Sequence, residues 1–307
     1  MAIVIEDYTT ATASSTSSSL TISKPSGATV GELLLLFVVS SDSTDPPSFN
    51  TPTGWNLIRQ AGNSAPDAKV GAFWRVCDGT ESSTQTITFT TGADYWVAWY
   101  LRLSGADDEP GVDPIGQSQL AANLSSGTSF IMDGITTNQP NTLAFALWGY
   151  DGADATFNGT LNSGTYWPTT IPSGQTLQSA GTSAGSSGGW LTATMSTEDF
   201  TGDCTIGASV GDGFAGFIFT VAPLPINTIS GNVTLGGSPA ANIPVTVVYA
   251  DDSDFTNAKL RRVATTDSNG DWSSRYPEGK TAFAFCMYDD GAGNTYTSPA
   301  QGFVTGL

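Results

Sequence analysis

The sequence predicts an all-β protein, and three observations carry the prediction. Charged residues make up only 12% of the chain, and Gly, Ser and Thr, the residues of turns and of solvent-facing strand positions, take their place. Apolar residues fall in short runs or alternate at period two, as in Gln85-Thr86-Ile87-Thr88-Phe89-Thr90. No window of a dozen residues carries a helical stripe.

Each element follows from the same reading. Ala2-Ile3-Val4-Ile5 is a short apolar stretch, free in sequence to add a strand to a neighbour's sheet edge. The Ser/Thr tract from Thr9 to Ser19 suits a flexible arm or an exposed edge strand. Leu33 to Val39 is a buried strand, and Pro52-Thr53-Gly54-Trp55 is a turn leading into the next. Val70 to Val76, Gln85 to Thr90 and the aromatic Tyr95 to Leu103 follow as strands. The pattern then returns: Leu143 answers Leu33, Trp190 answers Trp74, and Phe217 answers Trp99. We therefore expect a two-halved, jelly-roll-like β-sandwich over residues 1–222, with an internal pseudo-repeat at about 29–105 and 139–222. The two prolines in 223–227 form a stiff linker. Beyond it, 228–307 has the strand rhythm of a small immunoglobulin-like sandwich, with turns at Gly236-Gly237 and Asp267 to Asp271.

Composition excludes several classes of function. The chain of 307 residues has 28 acidic and 10 basic residues, a net charge of -18, which repels phosphate backbones; no nucleic-acid partner is expected. The longest apolar run, Leu33 to Val39, has seven residues, too short for membrane insertion as a helix. Cys77, Cys204 and Cys286 are odd in number and far apart, which fits buried thiols better than a disulfide framework or a zinc site. Met1 to Leu20 has neither the basic start nor the apolar centre of a signal peptide, so synthesis in the cytoplasm without general export is expected.

Motifs that could carry chemistry fail in context. Gly181-Thr182-Ser183-Ala184-Gly185 has the form of a nucleophile elbow, but the chain contains no histidine to take the serine proton. Gly211-Asp212-Gly213-Phe214-Ala215-Gly216 has dinucleotide-loop spacing but runs into the strand-like Phe217-Ile218-Phe219, so it is expected to be a hairpin turn. Counted from Asp267, Glu278 holds the twelfth position of a calcium loop, yet glycine falls fourth instead of sixth; a β-turn is expected. Asp107-Asp108-Glu109 and Asp251-Asp252-Ser253-Asp254 are taken as solvated acidic turns, and no pair of carboxylates stands out for glycoside hydrolysis. We expect no catalytic, cofactor-binding or metal-binding residues, no cofactor, and no enzymatic activity. Among the aromatics, Trp55 and Trp99 lie in strand patterns and belong to the core. Tyr166 and Trp167, in a loop-rich stretch, are the candidate glycan contacts.

Two resemblances add to this. Gly31-Glu32-Leu33 to Val38, Pro52 to Trp55, Phe73-Trp74-Arg75-Val76 and Arg102-Leu103-Ser104-Gly105-Ala106-Asp107 together resemble a β-sandwich repeat of phage virion proteins and some bacterial surface proteins. Ile229 to Val233, Ile243 to Val247 and Thr265 to Trp272 resemble the carboxypeptidase-regulatory or transthyretin-like immunoglobulin-type domains. The resemblances imply a bacteriophage virion structural protein, an outer capsid decoration or head fibre protein located in the virion. Its partners would be other capsid or tail proteins and itself as a homo-oligomer. The alternatives are a tail or baseplate adhesin bound to host surface glycan, and a bacterial surface carbohydrate-binding module.

Overall fold

The computed structural model describes residues 2–13, 17–41, 48–62, 68–93, 95–108, 113–120, 127–137, 139–152, 156–158, 166–178, 185–225, 227–250, 259–276, 281–289, 295–297 and 301–305. The chain is all-β: every regular element among these residues is a strand. It forms two compact units, one of Ala2–Asp108 with Asp113–Pro223, the other built chiefly from Leu224–Leu307.

The first half of the larger unit holds β1 (Val4–Ala13), β2 (Ser17–Ser23), β3 (Leu33–Ser41), β4 (Asn56–Gly62), β5 (Ala68–Val76), β6 (Thr84–Ala93) and β7 (Tyr95–Ser104). The second half holds β8 (Ile115–Leu120), β9 (Gly127–Met132), β10 (Thr142–Asp151), β11 (Phe157–Asn158), β12 (Thr176–Gln178), β13 (Ser186–Met195), β14 (Cys204–Asp212) and β15 (Phe214–Val221). Two five-stranded antiparallel sheets result, β1-β7-β3-β5-β4 and β8-β15-β10-β13-β12. They pack face to face through one core that includes Leu35, Phe37, Val39, Trp99, Phe145, Leu147, Trp190, Phe217 and Phe219.

The central strands are apolar through their middles, β3 from Leu33 to Val39 and β10 from Leu143 to Trp148, because both of their faces are covered. On β3, Leu33, Leu35, Phe37 and Val39 point into the shared core, while Leu34, Leu36 and Val38 point the other way. There the two-stranded β2–β6 ladder roofs a second core with Leu20, Ile22, Ile87, Phe89 and Trp55. On β10, Ala144, Ala146 and Trp148 likewise face a third core, roofed by β9, β14 and β11. The sandwich is therefore two small sandwiches back to back, each with its own outer core.

The two sheets share strand order and register. Phe37 lies between Ala72 on β5 and Trp99 on β7; Leu147 lies between Trp190 on β13 and Phe217 on β15. The position of Trp190 in the repeat is thus that of Ala72, two residues from the Trp74 with which the sequence aligned it.

Two further expectations are corrected. Ala2 to Ile5 is not unpaired: Val4 and Ile5 are in register with Ser104 and Leu103 of β7, with β1 as the edge strand of its sheet, and Ile3 is buried. The Ser/Thr tract contributes to β1 and β2 as paired strand. Gly211 to Gly216 is no hairpin either, because β14 ladders with β9 and β11 whereas β15 ladders with β10 and β8. Gly213 is a corner at which the chain passes from one sheet to another.

The smaller unit contains β16 (Asn227–Asn232), β17 (Thr234–Leu235), β18 (Ser238–Pro239), β19 (Pro244–Ala250), β20 (Lys259–Thr265), β21 (Asp271–Tyr276), β22 (Thr281–Asp289), β23 (Thr295–Thr297) and β24 (Gln301–Thr305). The β16–β21 ladder covers the β20-β19-β22 sheet over Ile229, Val245, Val247, Trp272, Tyr276 and Ala284. Gly236 and Gly237, at φ of 59° and 86°, form the two-residue turn that right-twisted hairpins prefer.

Candidate functional site

At one end of the first half, the loops 24–32 and 77–83 are tied together. Gly31 N–H donates to the Cys77 carbonyl at 2.9 Å, Cys77 N–H to the Glu32 carbonyl at 2.8 Å, and Lys24 N–H to the Ser83 carbonyl at 2.8 Å. Register places Arg75 and Arg102 on either side of Leu34, on the outer face of the sheet. Arg102 Nη1 meets Glu32 Oε1 at 2.7 Å. Arg75 Nη2 meets Glu81 Oε1 at 2.9 Å and Asp78 Oδ2 at 3.1 Å.

Glu81 is the hub of this corner. Its side chain is 3% exposed, and its oxygens accept from Asp78 N–H at 2.9 Å, Gly79 N–H at 3.2 Å and Cys77 Sγ at 3.1 Å. Burial pushes its carboxyl up, but the Asp78 N–H, the Cys77 thiol and Arg75 outweigh that and hold it below the ordinary range. A carboxylate so held stays ionised at neutral pH and has no proton to give. The Cys77 thiol is pushed up by burial and by its bond to Glu81, the opposite of what a nucleophile needs. Burial alone pushes Cys204 far up. The chemistry here is positional: charge is spent on holding loops.

The matching end of the second half is built from 133–137, 166–175 and 196–203, and it contains both candidate glycan contacts. Trp167 is 4% exposed, packs in the outer core, and donates Nε1–H to the Gly202 carbonyl at 3.0 Å. It corresponds to Trp55, which is 6% exposed, seals the first half's outer core, and donates to Gln85 Oε1 at 3.0 Å. As a correction to the sequence reading, Trp167 therefore offers no open ring face to a ligand. Tyr166 is half-buried and donates its hydroxyl to Asp199 Oδ2 at 2.7 Å. That bond raises the tyrosine and lowers the aspartate relative to their ordinary values.

Phe200, not singled out in the sequence, stands beside this pair with 49% of its surface exposed. Its N–H donates to Asp199 Oδ1 at 2.7 Å. Its ring tip lies so close to Gly134 that a Cβ there would sit 2.6 Å from Cζ. No motif marks it; only the fold places Glu198 to Thr201 beside Tyr166. Ala144 is flanked by Ala193 and Thr220 where Leu34 is flanked by Arg75 and Arg102, so the charged corner belongs to the first half alone.

The remaining motifs serve as frame. Asp267 Oδ1 accepts from Asn269 N–H at 2.8 Å and Asp271 N–H at 3.0 Å, which makes the Asp267 to Asp271 segment an Asx-type turn. Asp107 is buried and donates its N–H to the Ala222 carbonyl at 3.0 Å. Residues 181–184 of the elbow-like motif, Glu109, Asp251 to Asp254 and Glu278 lie outside the described residues. Comparison with protein-family models, curated proteins and solved structures finds no match to this chain.

Proposed function

We propose that the chain is a non-enzymatic structural protein of a bacteriophage particle, an outer capsid decoration or head fibre, with the large unit as the part that docks. The observation that carries this reading is how that unit spends its charge. Up to Leu224 there are 20 acidic and five basic residues. All five cations are engaged internally: Lys24 with Glu81, Arg59 with Ser118, Lys69 with Ser48, Arg75 with Glu81 and Asp78, and Arg102 with Glu32. Acids outnumber these cations four to one, and among the described residues Asp78, Asp113, Glu198, Asp199 and Asp203 are exposed, a balance suited to a basic partner face or to bridging cations. Both resemblances drawn from the sequence point the same way.

The test is incorporation. Particles made with a chain truncated after Pro225 should retain it at the full-length stoichiometry, and about 0.5 M salt should strip it by screening the docking charges. Loss of incorporation on that truncation, or full retention in high salt, overturns the reading. Deleting residues 2–19 would be a poor test, because it removes the paired strand β1.

A second reading, an adhesin for host glycan, has one observation in its favour: the exposed Phe200 ring beside the Tyr166–Asp199 pair combines an apolar stacking face with polar groups. Phe200→Ala should then weaken binding to host polysaccharide at least tenfold while the melting temperature moves by no more than about 4 °C. Equal binding by both proteins removes this patch from consideration.

A further inference from the structure

We infer that the large unit is a covalently joined dimer of two self-complementary repeats, whose shared face holds them together without the connecting peptide. A two-fold, isologous interface has a signature: if residue i of one copy touches j of the other, then j of the first touches i of the second. Register supplies the correspondences needed to look for it.

Val39 on β3 corresponds to Gly149 on β10, and Val70 on β5 corresponds to Gly188 on β13. A Cβ on Gly188 would sit 2.9 Å from Val39 Cγ2, and a Cβ on Gly149 would sit 2.6 Å from Val70 Cγ1. The contact of Val39 with the second half's β13 is thus returned by the contact of Gly149 with the first half's β5. Gly149 also lies 2.6 Å, on the same measure, from its own counterpart Val39, as residues close to a two-fold axis do. The two glycines leave the space that the two valines fill.

The edges repeat the pattern. Tyr8 on β1 and Ser118 on β8 correspond, since each lies opposite the equivalent residue of the neighbouring strand, Leu101 and Phe219. Tyr8 donates its hydroxyl to the Ser173 carbonyl ahead of β12. Ser118 receives Arg59 of β4, the strand equivalent to β12, through Nε to Oγ at 3.0 Å and Nη2 to the carbonyl at 3.0 Å. Each edge strand therefore meets the far edge of the other half. Because each half also owns a complete outer core, neither depends on the other for its internal ladder. The chain passes between the halves once, between β7 and β8.

The partner this face fits is the other half of the same chain. The test replaces residues 109–112 of the full-length protein with a specific protease site and cleaves the folded product. We expect the cleaved protein to elute as one species at the size of the intact chain and to separate only in denaturant. Its melting temperature should become dependent on protein concentration, as for any two-chain complex. Fragments that part or precipitate in native buffer overturn the inference. A second arm places Gly149→Leu in the cleavable chain, where the new side chain meets Val39 and Val70. Gly211→Ala serves as control, because a Cβ there meets nothing closer than 3.7 Å. Cleaved Gly149→Leu protein should dissociate at least tenfold more readily than cleaved wild type or the Gly211→Ala control; equal behaviour of the two variants means the face has been wrongly assigned.

Discussion

Replacing Glu81 with glutamine will lower the unfolding free energy by about 3 kcal/mol at neutral pH, the scale for stripping one partner from a buried ion pair. Glutamine keeps the shape but removes the charge that Arg75 faces. The guanidinium, with its side chain only 16% exposed, is left to Asp78, whose side chain is 59% exposed and therefore well screened. The pH dependence follows from the direction of the shift. The folded carboxyl titrates below its ordinary value of 4.5, so its contribution is present above that value and is lost as pH falls through the folded one. Wild type should therefore lose stability faster than Glu81→Gln on going from pH 7 to pH 3. Urea denaturation of both proteins at the two pH values measures this. A variant within about 0.5 kcal/mol of wild type at pH 7 would place the pair among exposed ion pairs of little worth.

That corner also shows what could and could not be read before folding. Leu33 to Val39 is legible as a strand, and its lack of alternation already carries the information that both faces are covered. The further step, that β2–β6 and β9–β14 supply the outer roofs, rests on pairings between distant segments that no local pattern records. The repeat is legible where residue size is kept, as at Leu33 with Leu143 and Trp99 with Phe217. It slips at Trp190, which holds the register position of Ala72, because matching one indole to another draws the alignment to Trp74. Glu32, Arg75 and Arg102 lie at or beside the ends of strands that are legible in the sequence. Glu81 does not, and only the folding back of the 77–83 loop shows it to be their companion. Phe200 and Asp199 lie in a polar stretch with no periodicity and gain meaning only from their place beside Tyr166.

Trp167→Ala is expected to cost about 3–5 kcal/mol, the range for truncating a large aromatic side chain in a packed core. The sequence around it, Tyr166-Trp167-Pro168, has the turn-rich look of a surface loop, which is why it stood as a ligand contact. Its environment says otherwise: the indole packs with Met132, Trp148, Leu191, Cys204 and Ile206 in the second half's outer core. Truncation leaves a cavity among these side chains and leaves the Gly202 carbonyl without its donor. Trp55→Ala should behave alike, because that indole seals the equivalent core and loses the equivalent bond to Gln85. Phe200→Ala should change stability by no more than about 1 kcal/mol, because half of that ring is already in water. Urea denaturation followed by near-ultraviolet circular dichroism separates the three variants. Should Trp167→Ala prove as mild as Phe200→Ala, the indole is not part of the core and its candidacy as a ligand contact returns. Should it cost as much as Trp55→Ala, the two tryptophans are the same structural device used twice, once under each set of loops.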